Sequence, residues 1–485
     1  MFFRQLYSDQ LAQASYLIGC QQTGEALVVD PTRDLDQYLA LAAKEGLRIV
    51  AVTETHIHAD FVSGARELAA GAGARLYLSG AGPEEWQYTY AAEAGATLLG
   101  DGDSFTVGLV RVDVQHTPGH TPESLSFLVT DTASATTPMG ILTGDFVFVG
   151  DVGRPDLLEK AAGLAGTTEG AARQLYRSLR CFELLPEYVQ VWPGHGAGSA
   201  CGKALGAVPQ STVGYEQRTN WAFDPMTEER FVERVLADQP EPPPYFAHMK
   251  RVNNEGPAPV AEIPAPEWLD LTALRAALVA ETPVVDIRAV DAYAAGHIPG
   301  TRSLPLGPGF LTWAGWLLPY DRPLALIGDA EEVADAARQL RLIGLNRIAG
   351  FWTPDVCDAW TASEGALAAL GRTDALGLQT RLARGDVRVL DVRTPAEHAA
   401  GHIAGSLNVP LGTLPHRLAE VPADQPIAVH CQGGLRSAIA AGLLDAQGHP
   451  NVLDVQGGFG GWQQAGLPVE RGAEAPALEP VPASV

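Results

Sequence analysis

The sequence predicts an α/β protein with three folded parts, and three observations support this prediction. The chain has 485 residues, and at roughly 150 residues per domain this length suits about three domains. Short runs of β-branched residues alternate with helical stretches, which is typical of α/β structure. The second half contains an internal repeat, which indicates two related domains.

Composition and charge exclude several classes of function. Hydrophobic residues make up 46% and charged residues 19% of the chain, as in folded globular proteins. The formal net charge of -24 repels phosphate backbones and anionic membrane surfaces, so we expect neither nucleic acid nor a membrane as partner. The first residues lack the basic start and apolar stretch of a signal peptide, and no run of about 18 apolar residues follows. We therefore expect a cytoplasmic protein.

The first domain is predicted to span residues 1–245. Its strand-like runs include EALVVD, RIVAVTET, LVRVDVQH, GILTGDFVFVG and YVQVWPG, and helical patterns such as DLDQYLALAAKEG separate them. The proline-rich stretches QPEPPPYF and NNEGPAPVAEIPAPEW come next. Proline-rich segments are stiff and extended. The sequence therefore predicts a linker at residues 246–265.

The internal repeat defines two further α/β domains. Residues 284–306 align without gaps with residues 389–411, at an offset of 105. Each copy has a strand that ends in Asp-x-Arg, a Gly-His-Ile segment and a later strand that leads into a helix. We place the first copy at residues 266–370 and the second copy at residues 371–472. The Pro- and Ala-rich residues 473–485 are predicted to be a disordered tail.

Six residues with metal-binding capacity lie where strands of the first domain end. The segment THIHADF brings three of them onto one turn, and the other three follow separate apolar runs. They are His56, His58, Asp60, His116, Asp145 and His195. A single histidine at a strand end is usually structural. Six potential ligands at strand ends instead predict a metal site, since loops at strand ends commonly carry functional sites.

These residues resemble the HxHxDH motif and the later ligands of the metallo-β-lactamase superfamily. The resemblance implies an αββα sandwich that holds one or two metals. It departs from the motif at Phe61, which replaces a histidine of the second metal position, so we expect one metal per chain. Two imidazoles and a carboxylate suit non-heme Fe(II) with open positions for dioxygen and a thiolate-type substrate. The implied ligands are His56, His116 and Asp145, while His58, Asp60 and His195 orient ligands or substrate through hydrogen bonds.

Two further segments narrow the resemblance. GDVGRPDL and PGHGAGSACGK resemble loops of persulfide dioxygenases fused to rhodanese domains. The resemblance implies that Arg154 steadies the anionic head of the substrate and that Cys201 and Lys203 lie near the substrate mouth. Two alternatives stay open. Arg154 could instead form a salt bridge with Asp151 or Asp156, and Cys201 could be a loop cysteine without function.

The segment HCQGGLRS in the second copy predicts a reactive cysteine. Cys431 lies between a strand and a helix, where backbone N–H groups, the helix N-terminus and Arg436 favour a thiolate. The loop resembles that of rhodanese domains, which implies that Cys431 carries the transferred sulfur. The loop length, Cys431 to Arg436, implies a sulfane sulfur rather than phosphate. The implied persulfide cradle is Gln432, Gly433, Gly434 and Leu435.

The first copy lacks these groups. Gly328 and Val333 stand at the Cys and Arg positions, among the acidic residues Asp329, Glu331 and Glu332. We expect no sulfur transfer there. The first copy is then a spacer or docking surface, or else the remnant of a lost activity.

Together these features predict an Fe(II) sulfur dioxygenase with thiosulfate sulfurtransferase activity. The dioxygenase is expected to oxidise glutathione persulfide or another low-molecular-weight persulfide to sulfite and thiol, and Cys431 to move sulfur to or from thiosulfate. One alternative is a two-metal thioester hydrolase of the glyoxalase II type with a rhodanese carrier module. A second is a non-catalytic sulfur carrier or sensor. The thiol, the direction of sulfur transfer and homo-oligomer formation stay open.

Overall fold

The computed structural model describes residues 1–157, 159, 166–203 and 205–472 of the chain, which form two compact units. The first comprises Met1–Pro264 and Arg338–Asn346, and the second comprises Ala265–Ala337 and the chain from Arg347 onward. The predicted tail, residues 473–485, lies outside the described residues. Within the described ranges, no helix is both long and apolar enough to cross a membrane.

The first unit contains two mixed six-stranded sheets in its described part. The strands of the first sheet, in spatial order, are β1 Phe2–Ser8, β2 Gln13–Cys20, β3 Glu25–Val29, β4 Arg48–Thr53, β5 Arg75–Ser79 and β6 Thr97–Leu99. The strands of the second sheet are β7 Ser104–Val107, β8 Val110–His116, β9 Leu125–Asp131, β10 Gly140–Gly144, β11 Gln190–Pro193 and β12 Ser211–Thr212. The second sheet also follows chain order, from β7 at one edge to β12 at the other.

Helices cover the outer faces of both sheets. The helices of this unit are α1 Asp36–Lys44, α2 Ala65–Ala72, α3 Thr168–Phe182, α4 Val213–Thr219, α5 Glu228–Leu236 and α6 Phe246–Glu255. Successive strand residues point to opposite faces, so Leu17 packs with α1 and α2 while Ile18 packs between the sheets. The second sheet contacts α3 and α5 through residues such as Leu175 and Phe231. The resulting layers confirm the predicted αββα sandwich.

The helix α6 corrects the predicted linker at residues 246–265. Its residues Phe246, Met249 and Asn253 are buried. The side chain of Asn253 accepts a hydrogen bond from the backbone N–H of Ser63 at 2.9 Å and donates to the carbonyl of Phe61 at 2.7 Å. This helix therefore belongs to the first unit and braces the loop that follows β4. A stiff proline-rich stretch precedes it, but the chain after that stretch is folded.

The second unit contains a four-stranded and a five-stranded parallel sheet. The strands of the first copy are β13 Val284–Asp286, β14 Arg302–Ser303, β15 Leu324–Ile327 and β16 Ile348–Trp352. The strands of the second copy are β17 Gly371–Thr373, β18 Arg388–Asp391, β19 Leu407–Asn408, β20 Ile427–His430 and β21 Val452–Val455. The spatial order β14-β13-β15-β16 matches β19-β18-β20-β21. The internal repeat thus corresponds to a repeated α/β unit.

Helices pack on both sheets of this unit. Those of the first copy are α7 Leu271–Val279, α8 Val290–Ala295, α9 Phe310–Leu317, α10 Ala330–Leu342 and α11 Val356–Ser363. Those of the second copy are α12 Ala375–Arg384, α13 Pro395–Ala400, α14 Leu435–Ala446 and α15 Gly458–Gln464. A capping box starts α13, because Thr394 accepts from the N–H of Glu397 and the Glu397 carboxylate accepts from the N–H of Thr394.

Candidate metal centre and sulfur-transfer loop

Three buried side chains of the first unit form a group that could hold a metal ion. The ligand atoms of His56, His120 and Asp145 all lie within 4.8 Å of one another. Asp145 Oδ2 is 3.4 Å from His120 Nε2 and 3.8 Å from His56 Nε2. His56 follows β4, and Asp145 follows β10 directly. The structure therefore brings together two of the residues that the strand-end argument selected, His56 and Asp145.

Hydrogen bonds orient both imidazoles toward this point. The Thr55 hydroxyl donates to Asp30 Oδ2 at 2.9 Å, so it accepts from His56 Nδ1 at 3.0 Å. His120 Nδ1 donates to the backbone carbonyl of Arg154 at 3.0 Å. With Nδ1 protonated, Nε2 of each ring keeps a free lone pair for a cation.

The charge state of the group also fits a cation. Burial lowers the pKa of His56 well below its ordinary value, and the neighbouring imidazoles lower it further. Burial likewise lowers the pKa of His120. Neither carboxylate oxygen of Asp145 accepts a hydrogen bond among the described residues. Neutral imidazoles and a carboxylate without donors form a suitable metal-binding set.

The structure places His116, the predicted third ligand, elsewhere. His116 ends β8, and its Nε2 lies 2.8 Å from the backbone carbonyl of Pro122. It lines a shallow surface cleft together with Asp101, Pro118, Gln174, Arg177, Ser178 and Cys181. The turn after β8 passes through Gly119, with φ of +152°, and delivers His120 to the centre instead. Both histidines lie in the segment QHTPGHT. The Pro-Gly pair between them predicts a turn, and this turn was the sequence signal that could have identified His120.

A second group of potential ligands adjoins the first. The ligand atoms of Asp60, His195 and Cys201 also lie within 4.8 Å of one another, and all three residues are buried. His195 Nε2 is 3.3 Å from Asp60 Oδ2 and 3.4 Å from Asp145 Oδ1. Asp145 therefore presents one oxygen to each group. Burial, Asp145 and Asp60 raise the pKa of the Cys201 thiol well above its ordinary value.

The ring centroid of His58 lies 4.3 Å from that of His56, and its Nδ1 has no hydrogen-bond partner among the described residues. His58 Nε2 lies 3.1 Å from Asp30 Oδ1, and its ring centroid is 4.4 Å from that of Phe61. Burial lowers the pKa of His58, but the carboxylates of Asp30, Glu54 and Asp60 together outweigh it, and the pKa is raised to about 9. His58 shares Asp30 with Thr55, which contacts His56. An orienting role for His58 stays a prediction that this geometry supports.

The guanidinium of Arg154 does not face an open pocket, contrary to the role implied by the resemblance. It is fully buried and makes two hydrogen bonds of 2.7 Å to Asp156, which is one of the alternatives left open by the sequence. Its backbone N–H donates to the carbonyl of Cys201 at 3.1 Å. A Cβ at Gly153 would stand 1.8 Å from the carbonyl oxygen of Asp145. This loop thus closes tightly over the ligands and orients them.

Lys203 also has internal partners. Its ammonium donates to the backbone carbonyls of Arg234 and Ala237, and its backbone N–H donates to Asp151 Oδ2 at 2.8 Å. These contacts therefore do not indicate a role for Lys203 at the substrate mouth.

The cation beside the metal group is Lys250, which sequence reasoning missed. A small pocket is lined by Ile57, Ala59, Trp86, His120, Thr121, Leu157 and Lys250. Lys250 Nζ lies 3.2 Å from the centroid of the Trp86 ring. Burial lowers the pKa of Lys250 to about 8, against the effect of Glu123. Because Lys250 belongs to α6, the predicted linker concealed it.

The second unit presents Cys431 in a tight strand-loop-helix turn. Cys431 is 2% exposed, and its Sγ accepts a hydrogen bond from the N–H of Gly434 at 3.1 Å. Ser437 Oγ lies 3.8 Å from Sγ and donates to Asp454 Oδ1 at 2.8 Å. Gly434 has φ of +116°, which favours glycine at this point of the loop. One of the backbone N–H groups expected to face the sulfur, that of Gly434, therefore does so, and the role of Cys431 as a nucleophile stays a prediction.

Arg436 has a carboxylate partner that the sequence analysis did not identify. Its Nη1 and Nη2 donate to Glu397 Oε2 and Oε1 at 2.8 and 2.7 Å. Gln432 of the loop is contacted by the buried Arg393, which itself pairs with Asp391. The positive charge predicted at the loop is thus offset in part by Glu397.

The comparisons with known proteins agree with this geometry. A family model for the metallo-beta-lactamase superfamily matches residues 8–195. A crystal structure of a metallo-beta-lactamase from Staphylococcus aureus is 44% identical, with a TM-score of 0.66, and the match covers 73% of this chain and 99% of that chain. The chain belongs to the metallo-beta-lactamase superfamily. A rhodanese-like domain model matches residues 374–465, so a rhodanese domain is fused to the metallo-beta-lactamase domain.

Two curated relatives match different parts of the chain. A sulfurtransferase of Allochromatium vinosum is 40% identical over 97 residues, which cover 20% of this chain and 91% of the relative. A mitochondrial persulfide dioxygenase, ETHE1 of Bos taurus, is 27% identical over 201 residues, which cover 40% of this chain and 68% of the relative. Both relatives act on sulfur compounds, as their names state.

Proposed function

We propose that the chain is a persulfide dioxygenase coupled to a sulfurtransferase. The proposed first reaction is RSSH + O2 + H2O → RSH + SO3²⁻ + 2 H⁺, in which the outer sulfur is oxidised and oxygen is reduced. In the proposed second reaction, Cys431 passes a sulfane sulfur to sulfite and thiosulfate leaves. The substrate class is a low-molecular-weight persulfide such as glutathione persulfide.

The observation that carries the proposal is the set His56, His120 and Asp145. Two neutral imidazoles and one carboxylate suit Fe(II) better than an all-oxygen or all-thiolate set would. An Fe(II) bound there would supply the redox chemistry that a reaction with oxygen needs. The similarity to a persulfide dioxygenase over 201 residues supports the same choice.

The surrounding residues prepare the site for a small anionic thiol. Asp30 and Thr55 orient His56, and the carbonyl of Arg154 orients His120. The pocket beside His120 is largely apolar, which limits water near the reacting sulfur. In this proposal Lys250 faces the negative charge of the thiol carrier.

A second candidate function is thioester hydrolysis with two metals. The adjoining group of Asp60, His195 and Cys201 favours it, because Asp145 presents one oxygen to each group. Phe61 alone therefore does not decide the number of metals. Two metals would activate water for attack on a thioester.

Metal analysis combined with an oxygen electrode separates the two functions. We expect about one iron per chain and oxygen consumption on addition of glutathione persulfide. Two zinc ions per chain with turnover of a glutathione thioester, and no oxygen consumption, would refute the dioxygenase.

The ligand set is tested by two histidine variants from the same segment. His120→Ala should lower metal affinity by more than about 100-fold, beyond the loss expected for a residue that only orients a ligand. His116→Ala is the matched control and should keep both iron and oxygen uptake, since His116 lies in the surface cleft. Loss of iron in the control with retention in His120→Ala would reverse the assignment.

A further inference from the structure

The arginine of the Cys431 loop, Arg436, is neutralised by the carboxylate of Glu397. Both terminal nitrogens of Arg436 donate to the two carboxylate oxygens of Glu397, at 2.8 and 2.7 Å. Glu397 is itself held in place, since its Oε2 accepts from the backbone N–H and the hydroxyl of Thr394 at 2.9 and 3.1 Å. The carboxylate is therefore held in a fixed position on α13 beside the Cys431 loop.

The first copy of the internal repeat lacks both residues of this ion pair. At the offset of 105, Glu397 corresponds to Ala292. In the loop after the central strand the offset is 103, so Gly328 corresponds to Cys431 and Val333 to Arg436. The first copy, which has no cysteine in its loop, thus lacks both the arginine and the glutamate. By contrast, it keeps the pair Asp286–Arg288 that corresponds to Asp391–Arg393. The Glu397–Arg436 pair accompanies the reactive cysteine rather than the scaffold.

A carboxylate at this position discriminates between ligands by charge. Thiosulfate carries two negative charges, and near Cys431 it needs the backbone N–H groups and Arg436 as partners. Glu397 competes for the same guanidinium nitrogens and repels a dianion nearby. A persulfide with an uncharged carrier bears at most one negative charge, so the repulsion is weaker. Sulfite is partly protonated near neutral pH, so it is repelled less than thiosulfate.

We propose that Glu397 sets the ligand preference of the Cys431 loop: it weakens the binding of thiosulfate, so that persulfides load Cys431 and thiosulfate is the released product. This inference rests on the proposed sulfurtransferase function. Glu397 acts through Arg436 and is a positioning residue. It leaves the overall equilibrium between reactants and products unchanged and alters only how tightly the loop holds each anion.

The two steps of this direction balance. In loading, the Cys431 thiolate attacks the outer sulfur of RSSH, the RS–S bond breaks, and the leaving thiolate RS⁻ takes up the persulfide proton. In discharge, the sulfur lone pair of sulfite attacks the outer sulfur of the Cys431 persulfide. The bond between Sγ and that sulfur breaks, its electron pair returns to Sγ, and thiosulfate leaves.

The test compares two sulfur donors in the variant Glu397→Gln, with cyanide as acceptor. Glutamine keeps an acceptor for the N–H of Thr394, so α13 stays capped. With thiosulfate as donor, KM should fall by about tenfold while kcat changes by less than about threefold. With the persulfide of 2-mercaptoethanol, whose carrier is uncharged and which bears at most one negative charge, KM should fall by less than about threefold.

The matched control is Glu420→Gln. Glu420 forms a similar two-point ion pair with Arg417 in the same domain, at 2.7 and 2.6 Å, and contacts no residue of the loop in the described structure. This variant should leave KM unchanged for both donors. An unchanged or raised KM for thiosulfate in Glu397→Gln, or an equal shift for both donors, would overturn the proposal.

A binding measurement decides the question even without turnover. Calorimetric titration with sodium thiosulfate should give about tenfold tighter binding to Cys431→Ser/Glu397→Gln than to Cys431→Ser. Equal dissociation constants would overturn the inference. Absence of transfer from both donors in the unmodified protein would instead refute the sulfurtransferase part of the proposed function, and this titration would still decide the role of Glu397.

Discussion

The two copies of the repeat share a buried ion pair and differ in the loop that follows the central strand. Arg288 pairs with Asp286 and donates to the carbonyl of Gly296, as Arg393 pairs with Asp391 and donates to the carbonyl of Gly401. A buried pair with these extra hydrogen bonds braces the start of the domain whatever the loop does. The scaffold is therefore independent of the chemistry.

The loops show what the chemistry requires. In the second copy the cysteine accepts a backbone hydrogen bond, and an arginine stands at the start of α14. In the first copy a Cβ at Gly328 would stand 2.6 Å from Ile287 Cγ1, and Val333 is buried. The first copy thus lacks the room for a thiol as well as the thiol. A reactive cysteine needs the whole loop, because backbone, charge and space act together.

The largest expected effect comes from removing the sulfur atom that the first copy lacks. Cys431→Ser should lower thiosulfate-cyanide sulfur transfer by at least about 1000-fold, since a serine hydroxyl is a far weaker nucleophile than a thiolate. Oxygen uptake with supplied persulfide should remain, because the metal group lies in the other compact unit. Loss of uptake with iron and fold retained would mean that relay through Cys431 is obligatory.

The reverse change should have a smaller effect. In a Cys431→Ser background, Gly328→Cys with Val333→Arg should not create transfer activity, because carboxylates in this loop disfavour a thiolate and repel thiosulfate. A graft of CQGGLR over residues 328–333 is the comparison, with Ile287→Val added to match Val392 of the second copy. Thiosulfate-cyanide transfer is measured in the Cys431→Ser background, in the double substitution and in the graft. Equal activity in the double substitution and the graft would show that the missing thiol alone silences the first copy.

The smallest expected effect concerns pH. Burial raises the pKa of Glu397, but Arg436 and Thr394 lower it more, and the pKa falls from its ordinary 4.5 to about 2. A carboxylate with a lowered pKa stabilises the folded state above its unfolded pKa and loses this effect as pH falls toward its folded pKa. The contribution is about 1 kcal/mol once screening by solvent is allowed for.

This pH effect is measurable by hydrogen exchange of the Cys431 loop. The loop should exchange about fivefold more slowly in the unmodified protein than in Glu397→Gln at pH 6. The ratio should approach one between pH 4.5 and 2. The loop of the first copy, which lacks the pair, should show the same exchange in both proteins at every pH. A ratio independent of pH would contradict the ion-pair origin of the protection.

The metal centre shows how far the sequence leads and where it stops. The runs that end in THIHADF and LTGDFVF predicted the positions of His56 and Asp145, because strand ends of one sheet edge lie together. The same reasoning selected His116, which ends β8, but the chain turns back through Pro118 and Gly119. The histidine beside His56 and Asp145 is therefore His120. A local rule on strand ends cannot follow a turn whose path depends on packing against α3, where Gly119 meets Leu175.

The charged residues show the same limit. The sequence was compatible with two hypotheses for Arg154, substrate binding or a salt bridge. In the structure the buried guanidinium forms the salt bridge with Asp156. The proline-rich stretch predicted a linker and so concealed Lys250, whose position depends on contacts of α6 with the loop after β4. Partners distant in sequence, such as Asn253 and His58 at 2.8 Å, leave no periodic signal.

The sequence by itself determined the α/β class through local periodicity and the repeat through self-similarity, whereas the αββα sandwich followed from the resemblance to the metallo-β-lactamase superfamily. The short contiguous loop around Cys431 predicted a reactive cysteine. Tertiary structure decided which histidine joins His56 and Asp145, that Cys201 lies beside Asp60 and His195, and that Glu397 pairs with Arg436. Each of these contacts joins residues far apart in the chain. Their distances follow from how sheets and helices pack, which no local pattern specifies.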